Sequence, residues 1–175
     1  MLTLDLNARF QPMHRHELED ALEGILVKEN LGTIGGGGGT LMAENGEIKS
    51  CDIEIDAEIE NIEKIAEILN TVGIAKGSFL RGENKKIAVG TLEGLGIYLS
   101  VDLDEETYQN CDVNFVIEKT EECMHGIGAM YSYREVEAFT ALYYYGTSFE
   151  RMKDSIAAFL SDYPLCKDCK VIQIA

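Results

Sequence analysis

From Cys51 to Glu60 the sequence alternates without a break. Cys51, Ile53, Ile55, Ala57 and Ile59 fall on one side, and Asp52, Glu54, Asp56, Glu58 and Glu60 on the other. Successive side chains of a strand point to opposite faces, so the segment predicts a half-buried strand that frays after Asp56. Ahead of it stands Glu44-Asn45-Gly46-Glu47, and Asn-Gly between two extended runs is a strong hairpin signal. The first arm of that hairpin contains Gly35–Gly39, five glycines in a row. A sheet wet on one face needs helices over the other, and the rest of the chain supplies them.

Leu18, Ala21, Leu22, Ile25 and Leu26 recur with helical spacing, with Glu17, Glu19, Asp20 and Glu23 opposite. They predict an amphipathic helix with an acidic first turn. A second helical stripe, Ile62, Ile65, Ala66, Leu69 and Val72, ends at Gly73. A hairpin over 78–81 and 86–90 follows, then a strand over 96–101 and a turn or short helix from Asp104. Asp112 is the expected N-cap of a third helix over 112–124, with Phe115, Val116, Lys119 and Cys123 along one side and Gly126 as its stop. Strands over 128–133 and 136–145 come next. Thr147-Ser148-Phe149-Glu150 reads as a capping box, opening a last helix with Phe149, Met152, Ile156, Phe159 and Leu160 inward. MLTLDLNARF opens the chain as a strand and Val171–Ile174 closes it as another. Helices alternating with hairpins predict an α+β fold, with one or two antiparallel sheets and helices on one face. The recurring αββ unit suggests duplicated ferredoxin-like halves inside one domain of residues 1–175, the halves at about 1–100 and 101–175.

Acidic residues number 31 against 15 Lys and Arg, a net charge of −16. Phosphate backbones are bound by clusters of Lys and Arg, so the balance argues against a nucleic-acid or anionic-membrane partner and for a basic protein. No apolar run approaches the roughly 18 residues of a membrane span. The first residues lack the basic and apolar regions of a signal peptide. Five cysteines, an odd number, fit reduced thiols better than a disulfide framework. A cytoplasmic protein is expected, and no cofactor is implied.

Three blocks together resemble a family of small acidic bacterial proteins. They are GGGGGTLMAENGEIKSCDIEID, GTLEGLGIYLSVDLDEETYQNCD and YYYGTSFERMKDSIAAFLSDYPLCKDCKVIQIA. The resemblance covers most of the chain and brings no catalytic signature, since its motifs are a glycine hairpin, caps and turns. Small acidic proteins of this character are often immunity partners of secreted bacterial toxins, and that likeness is one of general character only.

Five places carry possible chemistry. Asp52, Glu54, Asp56 and Glu58, about 6.6–6.8 Å apart along a strand, make a row of charge able to meet a basic cleft or simply to stay solvated. Tyr143 and Tyr145 share one strand face and Tyr144 takes the other; core and sheet packing is one reading of the cluster, and an outward pair would instead add a tyrosine surface suited to a protein partner. Gly35, Gly36, Gly37, Gly38 and Gly39 offer an alternative small-molecule or enzymatic site, with Asp52 or Glu54 as acid, base or metal ligand. The run lacks the Lys of a Walker loop and leads into a strand, so a bulge is the competing reading. Cys166 and Cys169 form one CxxC, with Cys123 and His125 as the nearest companions in sequence for a metal. His14 and His16 would share a metal only from an extended segment. The expected function is a non-enzymatic, acidic protein-binding module, an immunity-type inhibitor of a basic toxin or nuclease.

Overall fold

The computed structural model describes residues 1–175. Its contacts divide the chain into two units, Glu93–Ile174 and Met1–Leu92 with Ala175. Each is an α+β layer pair with an antiparallel sheet.

In the first unit β1 (Leu2–Leu6), α1 (Pro12–Lys28), β2 (Thr33–Met42), β3 (Ile48–Asp56), α2 (Ile62–Val72), β4 (Ser78–Arg81) and β5 (Lys86–Val89) follow one another. The sheet order is β2-β3-β1-β4-β5. Its first four strands and two helices are the βαββαβ arrangement, in which β3 separates β2 from β1; β5 extends the sheet past β4. Leu2 stands opposite Ile55, Leu4 opposite Ile53 and Leu6 opposite Cys51, and all six are buried. Leu22 and Leu26 of α1 and Ile62, Ile65 and Leu69 of α2 are buried too. Gly73, at φ 83, closes α2 with its N–H on the Leu69 carbonyl, a left-handed stop that glycine adopts without a Cβ clash.

The second unit repeats the plan. It runs β6 (Glu93–Ser100), α3 (Glu105–Asn110), α4 (Val113–Cys123), β7 (Gly128–Val136), β8 (Phe139–Gly146), α5 (Phe149–Asp162) and β9 (Lys170–Gln173). The order β7-β8-β6-β9 is again that of βαββαβ. The fold is therefore α+β with two ferredoxin-like sheets. The division falls between Leu92 and Glu93 rather than near residue 100, because β6 is the central strand of the second sheet and pairs with both β8 and β9.

Several local expectations change. The first helix opens at Pro12, whose missing N–H costs nothing at the first helical position, so its first turn carries no acid. His14 and His16 consequently lie on a helix, about 200° apart around its axis; the extended segment that a shared metal would require is absent. On α4 Val116 and Thr120 are buried, while Phe115 and Cys123 are exposed. Asp112 does cap that helix, accepting from the Asn114 N–H at 2.8 Å. At α5 the N-cap is Ser148, one residue later than a Thr147–Glu150 box requires; Ser148 accepts from the Arg151 N–H at 3.4 Å. Glu93 of β6 takes the Phe149 N–H at 2.6 Å, so the carboxylate that serves this helix end comes from another strand.

Tyr144 shows how the second core handles a polar group. It is fully buried among Leu95, Ile97, Val116, Met152 and Ile156, and its hydroxyl lies 2.7 Å from Thr120 Oγ1. Thr120 bonds in turn to the Val116 carbonyl at 2.7 Å, so neither hydroxyl is left unsatisfied. Burial pushes the Tyr144 hydroxyl pKa well above its ordinary value. Tyr144→Phe is expected to cost about 0.5–1.5 kcal/mol and Tyr144→Ala about 3–5 kcal/mol. Both are read from the urea midpoint at unchanged slope; equal costs for the two would mean that the ring contributes nothing.

Candidate functional site

The face of the first sheet turned away from α1 and α2 follows from the register. With Leu4, Ile53 and Leu80 inward, the outward positions are Thr3 and Asp5 on β1, Asp52 and Glu54 on β3, and Phe79 and Arg81 on β4. Asp5 stands directly opposite Asp52, a like-charge pair that destabilises a sheet unless a cation answers it. Arg81 answers it from β4. Its guanidinium is bidentate on the Asp5 carboxylate, with Nη2 2.7 Å from Oδ1 and Nε on Oδ2. Lys86 of β5 lies 3.9 Å above the Phe79 ring. The cations of this face are therefore engaged on β4 and β5.

Asp52 and Glu54 are half-buried, and neither carboxylate makes an ion pair or hydrogen bond. Beside them the glycine run forms a bulge. Ile34 pairs with Ile55 and Gly38 with Ile53, so Gly35, Gly36 and Gly37 together face Glu54 alone. The Glu54 carboxylate folds across this bulge, and a Cβ built at Gly37 would stand 2.0 Å from its Oε2. At Gly39 a Cβ would lie 3.8 Å from Asp52 Oδ1. With no side chains on this stretch of β2, nothing from that strand covers or neutralises the two carboxylates. Gly38 has a separate reason for being glycine: its φ is 111 and a Cβ would meet the Asp52 carbonyl at 2.4 Å.

Behind the bulge, on the helical side, lies Arg15 of α1. It is buried and pairs with Glu19 at 2.6 Å. Cys51 lies on the same inner side, its thiol 3.3 Å from the Phe10 carbonyl, and burial raises its pKa despite that contact and the nearby Arg15. Glu23 of α1 accepts the Ile34 N–H where the bulge begins. The helix thus braces the bulge from within.

Other expected site residues are placed differently. Asp56 ends β3 opposite Thr33 and is exposed. The strand ends at Asp56, where fraying is expected, and Glu58 stands at the N-cap position of a short 3-10 turn, Ile59–Asn61, without a side-chain cap bond, so the acidic row stops short of it. Tyr143 and Tyr145 do share the face opposite Tyr144, yet they are 0% and 3% exposed and offer no tyrosine surface. Tyr98 packs edge-on to Tyr143 and Tyr131 edge-on to Tyr145. These tyrosines also belong to a different unit from Asp52 and Glu54. Cys166, Cys169, Cys123 and His125 are not brought together as a set of three or more metal ligands.

An exposed aromatic group missed in the sequence lies on the helices of the second unit. Phe115 of α4 sits 6.1 Å from Phe159 of α5 and 5.2 Å from Tyr163, which stacks on Phe159 at 5.4 Å. Phe115 is 38% exposed. Lys119 reaches over its ring and is held by Glu122 at 2.6 Å. Lys119 is the one Lys or Arg between Glu93 and His125, among eight carboxylates. The signal for this patch is present in Phe115 and Phe159, the second of which also packs against the core of the unit.

No family model matches the chain, and no curated protein does. Among solved structures it is similar to the crystal structure of the first two RRM domains of the yeast poly(U)-binding protein Pub1. The match spans 100% of this chain and 99% of the other, at 10% identity and a TM-score of 0.28. A likeness at that level says nothing of what this chain binds. No helix is long and apolar enough to cross a membrane.

The bulge geometry separates neighbouring glycines. Gly36→Ala meets open space and is expected to change stability by less than about 0.5 kcal/mol. Gly38→Ala forces a positive φ and a backbone clash, at an expected cost of about 1–3 kcal/mol. Chemical denaturation of the two variants distinguishes them, and equal stabilities would contradict the bulge as described.

Proposed function

We propose that this chain is a non-enzymatic acidic module that binds a basic protein through the outer face of its first sheet. One observation carries the reading: Asp52 and Glu54 stand half-buried and unpaired over a glycine bulge, while Asp5 beside them is neutralised by Arg81. Carboxylates held on a strand without an ion pair or hydrogen bond lose some hydration and regain little of it within the fold, Asp52 feeling Arg81 only at a distance. An incoming guanidinium or ammonium group would regain that interaction, and the glycine bulge sets no β2 side chain beside the two acids to compete with it.

The net charge of −16 supports the same reading from a distance. A strongly negative surface raises the encounter rate with a cationic partner and lowers it for phosphate-rich ones. The acidic stretch over α3 and α4 adds to that field, with Lys119 alone to offset it. The most specific form of the proposal is an immunity-type inhibitor of a nuclease toxin. There the carboxylates would occupy the basic cleft in which the toxin holds its nucleic acid, and inhibition would follow from occlusion. The resemblance to small acidic bacterial proteins is in keeping with this form.

The test is retention from a lysate of the producing organism. Wild type and an Asp52→Asn/Glu54→Gln pair are immobilised side by side, at low and high salt. A basic protein is expected on the wild type at low salt, released at high salt and reduced about tenfold or more on the double variant, since partners of close charge pairs at an interface couple by about 1.5 kcal/mol or more. If no basic protein is retained at low salt, or the double variant retains it equally, the proposal fails. For the inhibitor form, nuclease activity of the retained protein should fall on adding wild type and persist with the double variant.

A further inference from the structure

The acidic face makes no use of Cys166-Lys167-Asp168-Cys169, which joins a 3-10 turn (Pro164–Cys166) to β9. The Cys169 N–H donates to the Cys166 carbonyl at 3.1 Å. Lys167 has φ −57 and ψ 131, and Asp168 has φ 60. These are the dihedral angles of a type II β-turn, with Asp168 in the position that ordinarily calls for glycine. A β-turn holds its first and fourth Cα atoms within about 7 Å, and disulfides span Cα separations of about 4.4–6.8 Å. The backbone therefore presents the two cysteines at a separation that a disulfide fits. Both thiols are free, and both side chains belong to the core of the second unit, Cys166 buried within it and Cys169 packed against it.

We propose that Cys166 and Cys169 are a disulfide-forming site, closed across their own turn by exchange with a small-molecule disulfide such as glutathione disulfide. Cys169, the more exposed of the two, attacks first as its thiolate. A bond forms from its Sγ to one sulfur of the small disulfide, the S–S bond breaks, and the departing thiolate takes up a proton. Cys166 then attacks Cys169 Sγ as a thiolate and displaces the second small thiol. Two protein thiols lose two electrons and two protons, and the small disulfide gains them as two thiols. Closure ties the 3-10 turn to the residue that precedes β9, an edge strand that pairs with β6 alone in its sheet.

Burial raises the pKa of both thiols, that of Cys166 to about 12. Only a small fraction is thiolate near neutrality, so the reaction quickens as pH rises, by up to about tenfold per unit below the thiol pKa. Exposed Cys123 serves as an internal control for thiol reactivity.

The experiment treats the full chain with glutathione disulfide at about pH 7 and about pH 9, then traps free thiols and weighs the peptides. The peptide carrying Cys166 and Cys169 is expected to lose two hydrogens, several-fold faster at the higher pH. In Cys169→Ser that loss disappears, leaving at most a glutathione adduct. Hydrogen exchange of the β9 amides should slow in the closed form. The proposal is overturned if the peptide keeps both thiols free at the higher pH after Cys123 has reacted. It is equally overturned if the peptide stops at a glutathione adduct without closing, or if either cysteine is found bonded to Cys111 or Cys123.

Discussion

The pairing of β1 with β3 sets everything on the first sheet. Leu2, Leu4 and Leu6 meet Ile55, Ile53 and Cys51 across it, and this apolar row is buried on the side of the helices. Slipping the register by one residue would turn the row to the opposite face and bury Asp5, Asp52 or Glu54 in its place, at the cost of desolvating carboxylates. Hydrophobic burial therefore places the acids as firmly as it places the leucines. Asp5 and Asp52 are forced side by side, and Arg81 on β4 offsets one of them. The carboxylate left over is a consequence of the core as much as of the surface.

Two sheets of one strand order come out of this chain with unlike outer faces. The first sheet packs on its helical side, while the second buries side chains on both of its faces. On the first sheet the outer face bears Asp5, Asp52 and Glu54 beside bare glycine backbone. On the second it bears buried Tyr143 edge-on to Tyr98 and buried Tyr145 edge-on to Tyr131, with Gly96 letting the Tyr98 ring approach the backbone. The topology is shared while the chemistry is not, so function in such a fold is argued from side chains on a named face.

Much of the architecture was legible locally. The Asn45-Gly46 turn, the Gly73 stop, the Asp112 cap and the period-two stripe each report a backbone geometry through a few neighbouring residues, and each is where the pattern put it. The candidate site was legible in part. Asp52 and Glu54 were placed by alternation, and the glycine run was open to the bulge that it forms. Glu58 was misplaced because alternation continues in the sequence after the backbone has turned into a 3-10 helix. Tyr143 and Tyr145 are packed, the sheet-packing reading of the cluster, and the outward pair is not found: strand periodicity assigns a face, but not whether that face is covered. On α4 the structure turns Val116 and Thr120 inward and leaves Phe115 exposed, so only part of the side that holds Phe115, Val116, Lys119 and Cys123 is buried.

The amino-acid sequence by itself determined the elements, their order, the hint of duplication and the excess of negative charge, because each depends on neighbours along the chain. Only the tertiary structure decided which carboxylates are answered. Arg81 reaches Asp5 from a strand 76 residues away, and Glu93 satisfies the Phe149 N–H from 56 residues away. The same holds for Glu54, whose position over Gly37 depends on a bulge that sets three residues against one. These pairings are made across strands, where proximity comes from sheet order and register, and neither quantity is written in local periodicity.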